Sequence, residues 1–257
     1  MVSEEQRQAV LKAMAPYMSI DEYGLTTIRN LYFDTDDYIL ARHSIAKPDF
    51  KEKFRIRSYA KANKDSTVFM ELKRKCDGIV YKRRVGLTER EADSWLEGRG
   101  ASHIHSEQPQ LAAEIDYFLN LYTTLKPQAY LSYDREAYKM KDGSDFRVTF
   151  DSNIKARDYD ISLESDAYGT DLIEDGKYLM EIKCSGGIPL WMTSVLSAEG
   201  IHKISFSKYG IAYQTMIYPT LTNNYAHSFE KTTEKKGSKE RWKAYYKGYI
   251  NQAQLQA

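Results

Sequence analysis

The sequence predicts an α+β fold whose centre is an antiparallel β-barrel or strongly curved sheet. Segments that alternate polar and apolar residues are separated by tight turns, as at Asp77-Gly78 and Asp142-Gly143-Ser144, and this spacing is typical of β-hairpins. Two capping boxes, which begin at Ser3 and Thr88, mark the starts of helices. With 257 residues, of which 42% are hydrophobic, the chain is long enough to bury a core of this kind.

The first half of the chain combines two helices with a group of strands. The first strand is rich in β-branched and aromatic residues, and the following three show the period of two that a half-buried strand requires. Residues 100–108 contain Gly, Ser and Gln and predict a loop. We expect helices over 3–15 and from Thr88 to about Gly98, and strands over 25–34, 51–60, 67–76 and 79–87.

The second half adds an amphipathic helix after Pro109, in which Leu111, Ile115 and Phe118 share one side. Residues 158–176 hold seven acids and no base, which predicts an exposed loop. We expect helices over 109–122, 189–198 and 207–218, and strands over 127–140, 145–156 and 177–184. Residues 1–218 are therefore interpreted as one domain, and the polar residues 219–257 as a C-terminal tail that could include a short docking helix.

Composition excludes several classes of protein. Lys plus Arg is 37 and Asp plus Glu is 36, giving a net charge of +1, so a globally basic nucleic-acid-binding protein is not indicated. The two cysteines, Cys76 and Cys184, are too few for a disulfide framework and favour a reducing compartment. No apolar run is long enough to span a bilayer, and the N-terminus lacks a secretory signal. A cytoplasmic protein without a specific nucleic-acid partner is expected.

Basic residues recur on one side of the predicted strands. Lys51, Lys53, Arg55 and Arg57 share one side of 51–58, and the same pattern returns in the other strands. A solvated sheet face would also be polar, but it would mix Ser, Thr, Gln and acids with the bases. Because the whole chain is nearly neutral, this concentration favours an anion-binding surface over a solvated face.

Seven short motifs then occur in the order found in one known family. They resemble the VTC-type polyphosphate polymerase domain of the triphosphate tunnel, or CYTH-like, superfamily, over about residues 25–215. The motifs are YFDT at 32–35 with LAR at 40–42, FRIRSY at 54–59, FMELKRK at 69–75, YKRR at 81–84, YDREAY at 133–138 with FRVTFD at 146–151, LMEIK at 179–183, and FSKYG at 206–210.

The resemblance implies an antiparallel β-barrel with helices packed outside, and an enzyme that transfers the γ-phosphoryl group of ATP to polyphosphate with Mn²⁺ or Mg²⁺. It implies catalytic roles for Arg55, Arg57, Lys73, Arg135, Arg147 and Lys183. It implies phosphate binding by Lys53, Lys82, Arg84, Lys203 and Lys208. Glu181 is the expected metal ligand and Glu71 a second candidate, because hard carboxylate oxygens suit these ions.

Two departures from the family pattern accompany this resemblance. The strand that usually precedes the first helix is expected to be missing, and Ser205 stands where relatives often carry a basic residue. Two other functions therefore stay open, a triphosphatase that uses water as acceptor and a non-catalytic module that binds polyphosphate or nucleotide. The expected partners are ATP and polyphosphate or another polyanion, and a membrane-associated partner is compatible with a chain that has no membrane span.

Overall fold

An antiparallel sheet forms the centre of the structure, a computed structural model that describes residues 1–225. Within those residues the sheet has nine strands in the order β1-β9-β7-β6-β2-β3-β4-β5, and β8 pairs with β7. The strands are β1 (Val2–Ser3), β2 (Met18–Asp34), β3 (Phe50–Ser58), β4 (Thr67–Cys76), β5 (Ile79–Thr88), β6 (Lys126–Met140), β7 (Phe146–Arg157), β8 (Thr170–Asp171) and β9 (Lys177–Cys184).

The sheet is not closed into a barrel by hydrogen bonds. β1 and β5 are its two ends, and no ladder joins them in the described part of the chain. The antiparallel arrangement is confirmed, whereas a hydrogen-bonded barrel is not formed by these residues. β2 is 17 residues long and pairs with both β3 and β6. Its ladder to β6 shifts register twice, and such irregularities bend a strand and increase its twist.

Helices pack outside this sheet, and both predicted capping boxes are confirmed. Ser3 Oγ accepts a hydrogen bond from Gln6 N at 3.3 Å, and Thr88 Oγ1 accepts one from Glu91 N at 3.3 Å. The helices are α1 (Glu4–Met14), α2 (Ile39–Ala46), α3 (Glu89–Leu96), α4 (Ser102–Glu107), α5 (Pro109–Leu121), α6 (Leu190–Ala198), α7 (Lys208–Ala212) and α8 (Tyr218–Tyr225). A π-helical turn, Tyr213–Ile217, joins α7 to α8.

Two helices before residue 218 were not predicted, and α8 begins where the polar tail was expected. The expectation of a loop over 100–108 is wrong because α4 occupies most of that segment. The second unpredicted helix is α2, whose N-cap residue, Tyr38, makes no capping hydrogen bond with its side chain. Asp34 caps α2 instead, since its carboxylate accepts hydrogen bonds from Leu40 N at 2.9 Å and Ala41 N at 2.8 Å. A cap supplied from the end of the preceding strand leaves no capping box in the sequence.

The apolar sides of the strands form the core. Phe54 of β3 packs against Phe118 of α5, with ring centroids 5.3 Å apart, and α1 and α6 cover β7 with Val10, Met14 and Met192. The alternation predicted for these strands is confirmed, because the residues between the basic ones are buried. They are Phe54, Ile56, Val68, Met70, Leu72, Val148 and Phe150.

The acidic segment after β7 is held against the sheet by one buried guanidinium. Arg157 is 0% exposed, and its charge lies 3.6 Å from the Tyr130 ring centroid and 4.1 Å from that of Tyr168. Its Nη1 donates to the carbonyl oxygens of Asp166 at 3.1 Å and Tyr168 at 2.7 Å. The segment is exposed, as predicted, but its backbone is tied to β7.

The N-terminal end of the chain adds little to the sheet. β1 is two residues long and pairs with β9, so the absence of a family strand before the first helix stays a prediction. Met1–Pro219 form one compact unit. The predicted docking helix lies outside the described residues. No helix in residues 1–225 has the length and the apolar character needed to cross a bilayer.

Candidate functional site

One face of the sheet collects the basic residues of six strands. Lys53 of β3 lies opposite Lys73 of β4, which lies opposite Lys82 of β5. Residues paired directly across strands project to the same face. β2 and β6 carry the same face into the other half of the sheet, where Arg147 lies opposite Lys183. We call it the charged face, comprising Lys53, Arg55, Arg57, Glu71, Lys73, Lys82, Arg84, Arg135, Arg147, Glu181 and Lys183.

Four cationic side chains surround one buried carboxylate on this face. Arg55 Nη2 lies 2.7 Å from Glu71 Oε2, while Arg57 Nη1, Lys82 Nζ and Arg84 Nε lie 3.7, 3.5 and 3.7 Å from Oε1. Burial alone would raise the pKa of the Glu71 carboxyl, but Arg55, Arg57 and Lys82 outweigh it and lower this pKa to about 2. These five residues form the Glu71 cluster, which carries more positive than negative charge.

Neutral side chains of β2 orient the two central arginines. Arg55 Nη1 donates to the Tyr32 hydroxyl at 2.8 Å, and Arg57 Nε donates to Asn30 Oδ1 at 3.1 Å. Burial raises the pKa of Tyr32, but Arg55, Lys53 and Arg57 outweigh it and lower this pKa to about 8. Sequence reasoning did not select Tyr32 or Asn30, although both alternate on the side of β2 that faces Arg55 and Arg57.

A second cluster lies on β6 and β7. Arg135 Nε and Nη2 donate to the two carboxylate oxygens of Asp151 at 2.6 and 2.7 Å, and Lys208 Nζ donates to the same carboxylate at 2.6 Å. Burial raises the pKa of Asp151, but the bonds from Arg135 and the charge of Lys208 lower it overall. The Tyr133 ring lies beneath both cations, at 5.1 and 4.5 Å. Sequence reasoning missed Asp151 as a site residue.

Helix α7 brings Lys208 onto the charged face. Ser207 caps this helix by accepting from Gly210 N at 3.1 Å, and its hydroxyl also accepts from Lys53 Nζ at 2.8 Å. Tyr209 stacks on Tyr32 with centroids 4.8 Å apart, and its hydroxyl donates to Asp34 at 2.9 Å. The segment 207–209 is therefore fixed at three points above the strands.

The family can be identified once this arrangement is known. The sequence model of the VTC domain matches residues 1–217. This chain belongs to the VTC domain family. A search of curated protein sequences gives no match.

Several solved structures resemble the VTC domain in part. A candidate adenylate cyclase from Bacillus halodurans is 18% identical, with 80% of this chain and 90% of that chain covered and a TM-score of 0.49. A candidate adenylyl cyclase from Hippeastrum, which has a dominant triphosphatase activity, is 15% identical, with 83% and 92% covered and a TM-score of 0.48. A candidate adenylate cyclase from Vibrio parahaemolyticus is 9% identical, with 75% and 80% covered and a TM-score of 0.38.

The remaining predicted site residues of the VTC domain are exposed. Glu181 and Lys183, which are 3.5 Å apart, have side chains 47% and 58% exposed. Lys73 and Arg147 are exposed on the same face. Lys203 lies off the strands, in the segment between α6 and α7, and is also exposed. The structure therefore brings all the predicted strand residues to one face, adds Lys208 through α7, and leaves Lys203 off the strands.

The acidic residues of the VTC domain do not form a preassembled metal centre in the described part of the chain. No group of three or more His, Cys, Asp and Glu side chains comes close enough there to hold a metal ion. Glu71 is enclosed by cations, whereas Glu181 pairs with Lys183 alone among the described basic residues. The two predicted metal ligands therefore have different environments.

Proposed function

We propose that this VTC domain binds the triphosphate of ATP on the charged face and transfers its γ-phosphoryl group to a polyphosphate chain. The observation that carries the proposal is the Glu71 cluster, in which four cations converge on one carboxylate. Charges of one sign are stable at such density only when anions complete the site. Membership of the VTC family supports an inorganic phosphate chain as that anion.

Three of the four cations of the Glu71 cluster lie near the carboxylate without a close hydrogen bond to it. Arg57, Lys82 and Arg84 lie 3.5 to 3.7 Å from Glu71 Oε1, which is longer than an ordinary hydrogen bond, and Oε1 has no hydrogen-bond partner among the described residues. The N–H groups that approach Oε1 therefore remain available to a ligand. Arginine can hold phosphate oxygens with two parallel hydrogen bonds, which lysine cannot.

Tyr133 links the two clusters of the charged face. Its hydroxyl lies 3.5 Å from Arg57 Nη2, and its ring lies under Arg135 and Lys208. A bound phosphate chain can thus pass from the Glu71 cluster to Arg135 without crossing an apolar gap. Asp151 orients both Arg135 and Lys208 and removes part of their charge.

A divalent metal fits Glu181 better than Glu71. Glu181 is half exposed and offers accessible oxygens, whereas Glu71 is 2% exposed among four cations. Magnesium commonly takes one or two carboxylates and completes its shell with phosphate oxygens and water, so one carboxylate is a sufficient donor set. When bound, Mg²⁺ or Mn²⁺ would neutralise charge on the β- and γ-phosphates.

The transfer step needs no nucleophile from the protein. A terminal oxygen of polyphosphate forms a bond to the γ-phosphorus of ATP, the bond from that phosphorus to the β–γ bridging oxygen breaks, and ADP leaves. Catalysis of such a displacement depends on alignment and on charge neutralisation. Arg55 and Arg57 would hold the triphosphate, while Lys73, Arg135, Arg147 and Lys183 would neutralise the charge that moves to the leaving oxygen.

Incubation with ATP and Mn²⁺, followed by chain-length analysis of the products on a polyphosphate gel, tests this proposal. We expect ADP and polyphosphate chains that lengthen with time. ADP with orthophosphate, and no polyphosphate chains, would identify a triphosphatase; the exposed side chains of Glu181 and Lys183 leave this part of the charged face open to water. Triphosphate binding without turnover would identify a binding module. An Arg55→Ala variant should abolish product formation, whereas Arg90→Ala, at an exposed ion pair with Asp65, should not.

A further inference from the structure

A cavity of about 330 Å³ lies beside the charged face, where β3 begins and β4 ends. Four lysines line it, two from β3, one from β4 and one from the residue that follows α2. Ser205 and Ser207 form part of the opposite wall. We call this cavity the lysine pocket, after Lys47, Lys51, Lys53 and Lys75.

The lysines of this pocket are not neutralised by the described part of the protein. No carboxylate of the described residues lies within 4.0 Å of their ammonium groups, and Asp49 is the only acidic residue among those that line the cavity. Burial lowers the pKa of Lys51, and the charges of Lys75 and Lys47 lower it further. In contrast, the central arginines of the charged face each have a carboxylate partner.

The chemistry of the lining favours phosphate groups without a nucleoside. Lysine is a compact, hydrated charge on a flexible stem, so several lysines bind successive phosphates without fixing their orientation. Phe206 is the only aromatic residue in the lining. The aromatic side chains that could stack on a base, Tyr59 and Phe69, contact Arg84 near the opposite end of β3.

The lysine pocket is continuous with the charged face through Lys53. This residue belongs to both, and its ammonium is held by Ser207 at 2.8 Å. Lys51 precedes Arg55 by four strand residues, a separation of about 13 Å. That backbone separation exceeds the span between the first and last phosphorus atoms of a triphosphate, so we expect a ligand that contacts both Lys51 and Arg55 to be longer.

We propose that the lysine pocket is a second anion-binding site, which holds the distal phosphates of an inorganic polyphosphate whose near end lies at the arginines of the charged face. The inference rests on the proposed function, because it takes the arginines as the triphosphate site. It adds a site that distinguishes long phosphate chains from tripolyphosphate and ATP, which end before they reach Lys51 and Lys75.

The test compares three ligands on one variant. Lys51 and Lys75 lie opposite each other, so Lys51→Gln/Lys75→Gln removes a like-charge pair and should leave folding intact. Titration calorimetry without metal should show that a polyphosphate of about 15 units binds the variant about tenfold or more weakly than the wild type. Tripolyphosphate and ATP should bind both proteins within about twofold.

Two controls make the outcome specific. Lys12→Gln/Lys64→Gln removes the same charge from exposed positions outside the pocket and should leave all three affinities unchanged, and Lys47→Gln/Lys51→Gln should reproduce the effect. An equal loss for short and long ligands, or no loss for the long one, would overturn the second site while tripolyphosphate binding leaves the proposed function standing. A wild type that does not bind tripolyphosphate would overturn both.

Discussion

Two groups of charged residues, each centred on buried carboxylates, lie on opposite faces of β3, β4 and β5, and they differ in their ratio of cations to carboxylates. On the core side, Arg74 pairs with Glu52 at 2.6 Å and Glu114 at 3.2 Å, and Arg83 pairs with Glu114 at 3.0 Å. Tyr122 also donates to Glu52 at 3.1 Å. Within the described residues, two cations thus meet two carboxylates next to α5, whereas the Glu71 cluster sets four cations against one.

The difference shows how one set of strands serves two purposes. The members of the core-side group stand next in sequence to members of the charged face, as with Glu52 and Lys53 or Arg74 and Lys73, so alternation alone separates them. In a balanced group each charge is paired within the protein, so removing one partner mainly lowers the free energy of unfolding. A group with excess cations leaves a positive electrostatic potential that can attract an anionic ligand.

The largest effect is expected from breaking the balanced group. Arg74→Met leaves Glu52 without its close guanidinium, and loss of one partner from a buried ion pair typically costs about 3–5 kcal/mol in the free energy of unfolding. Urea denaturation measures it. Lys73→Met, at the exposed neighbouring position, should change stability by no more than about 0.5 kcal/mol. Similar losses in both variants would contradict the distinction between the two faces.

Glu181 tests whether the charged face also needs an accessible carboxylate. If Glu181 holds the metal, Glu181→Gln removes a hard oxygen donor, and metal-dependent turnover should fall about 100-fold or more because transition-state charge goes unneutralised. Polyphosphate affinity without metal should hold or increase, since a negative charge has left an anion site. Turnover and affinity are measured on the same variant, and full turnover would assign Glu181 to a structural role.

Removing one cation from the unbalanced group should affect the ligand and spare the fold. Arg57→Ala leaves Glu71 with three cations and should weaken tripolyphosphate binding by about 1.5–3 kcal/mol, the range for hydrogen bonds to charged groups. Titration calorimetry measures the affinity and thermal unfolding checks the fold. Arg83→Ala, in the balanced group, is the matched control and should not change affinity. Unchanged affinity of Arg57→Ala would remove this residue from the site.

The smallest effect is expected from pH. Burial lowers the pKa of Lys53 to about 8, and that of Tyr32 is also about 8 because Arg55 and its neighbours outweigh burial. As pH rises through 8 the face loses a positive charge and gains a negative one, so tripolyphosphate affinity should fall about tenfold between pH 7 and 9 relative to Lys53→Arg/Tyr32→Phe. Because protonation of tripolyphosphate affects both proteins equally, its contribution cancels in this comparison. If the affinities of the wild type and the double variant changed with pH in parallel, Lys53 and Tyr32 would not be the groups that titrate.

The sequence by itself determined most of the long elements and which side chains share a side of each strand. The strand over 67–76 and the turn at Asp77-Gly78 are found where the periodicity and turn chemistry predicted them. These features depend on residues that are neighbours in sequence, because side chains alternate along a strand whatever it pairs with. The same rule placed Arg55, Arg57 and Lys73 on one face before any pairing was known.

Only the tertiary structure decided which residues meet. Asp34 caps α2 and accepts a hydrogen bond from Tyr209, and Asp151 bridges Arg135 and Lys208. Lys47, which follows α2, lines the lysine pocket together with lysines of β3 and β4. That no ladder joins β1 to β5 among the described residues is likewise a property of the whole sheet. Each of these contacts joins separate elements of the fold. They depend on strand register and helix packing, and local periodicity carries no information about either.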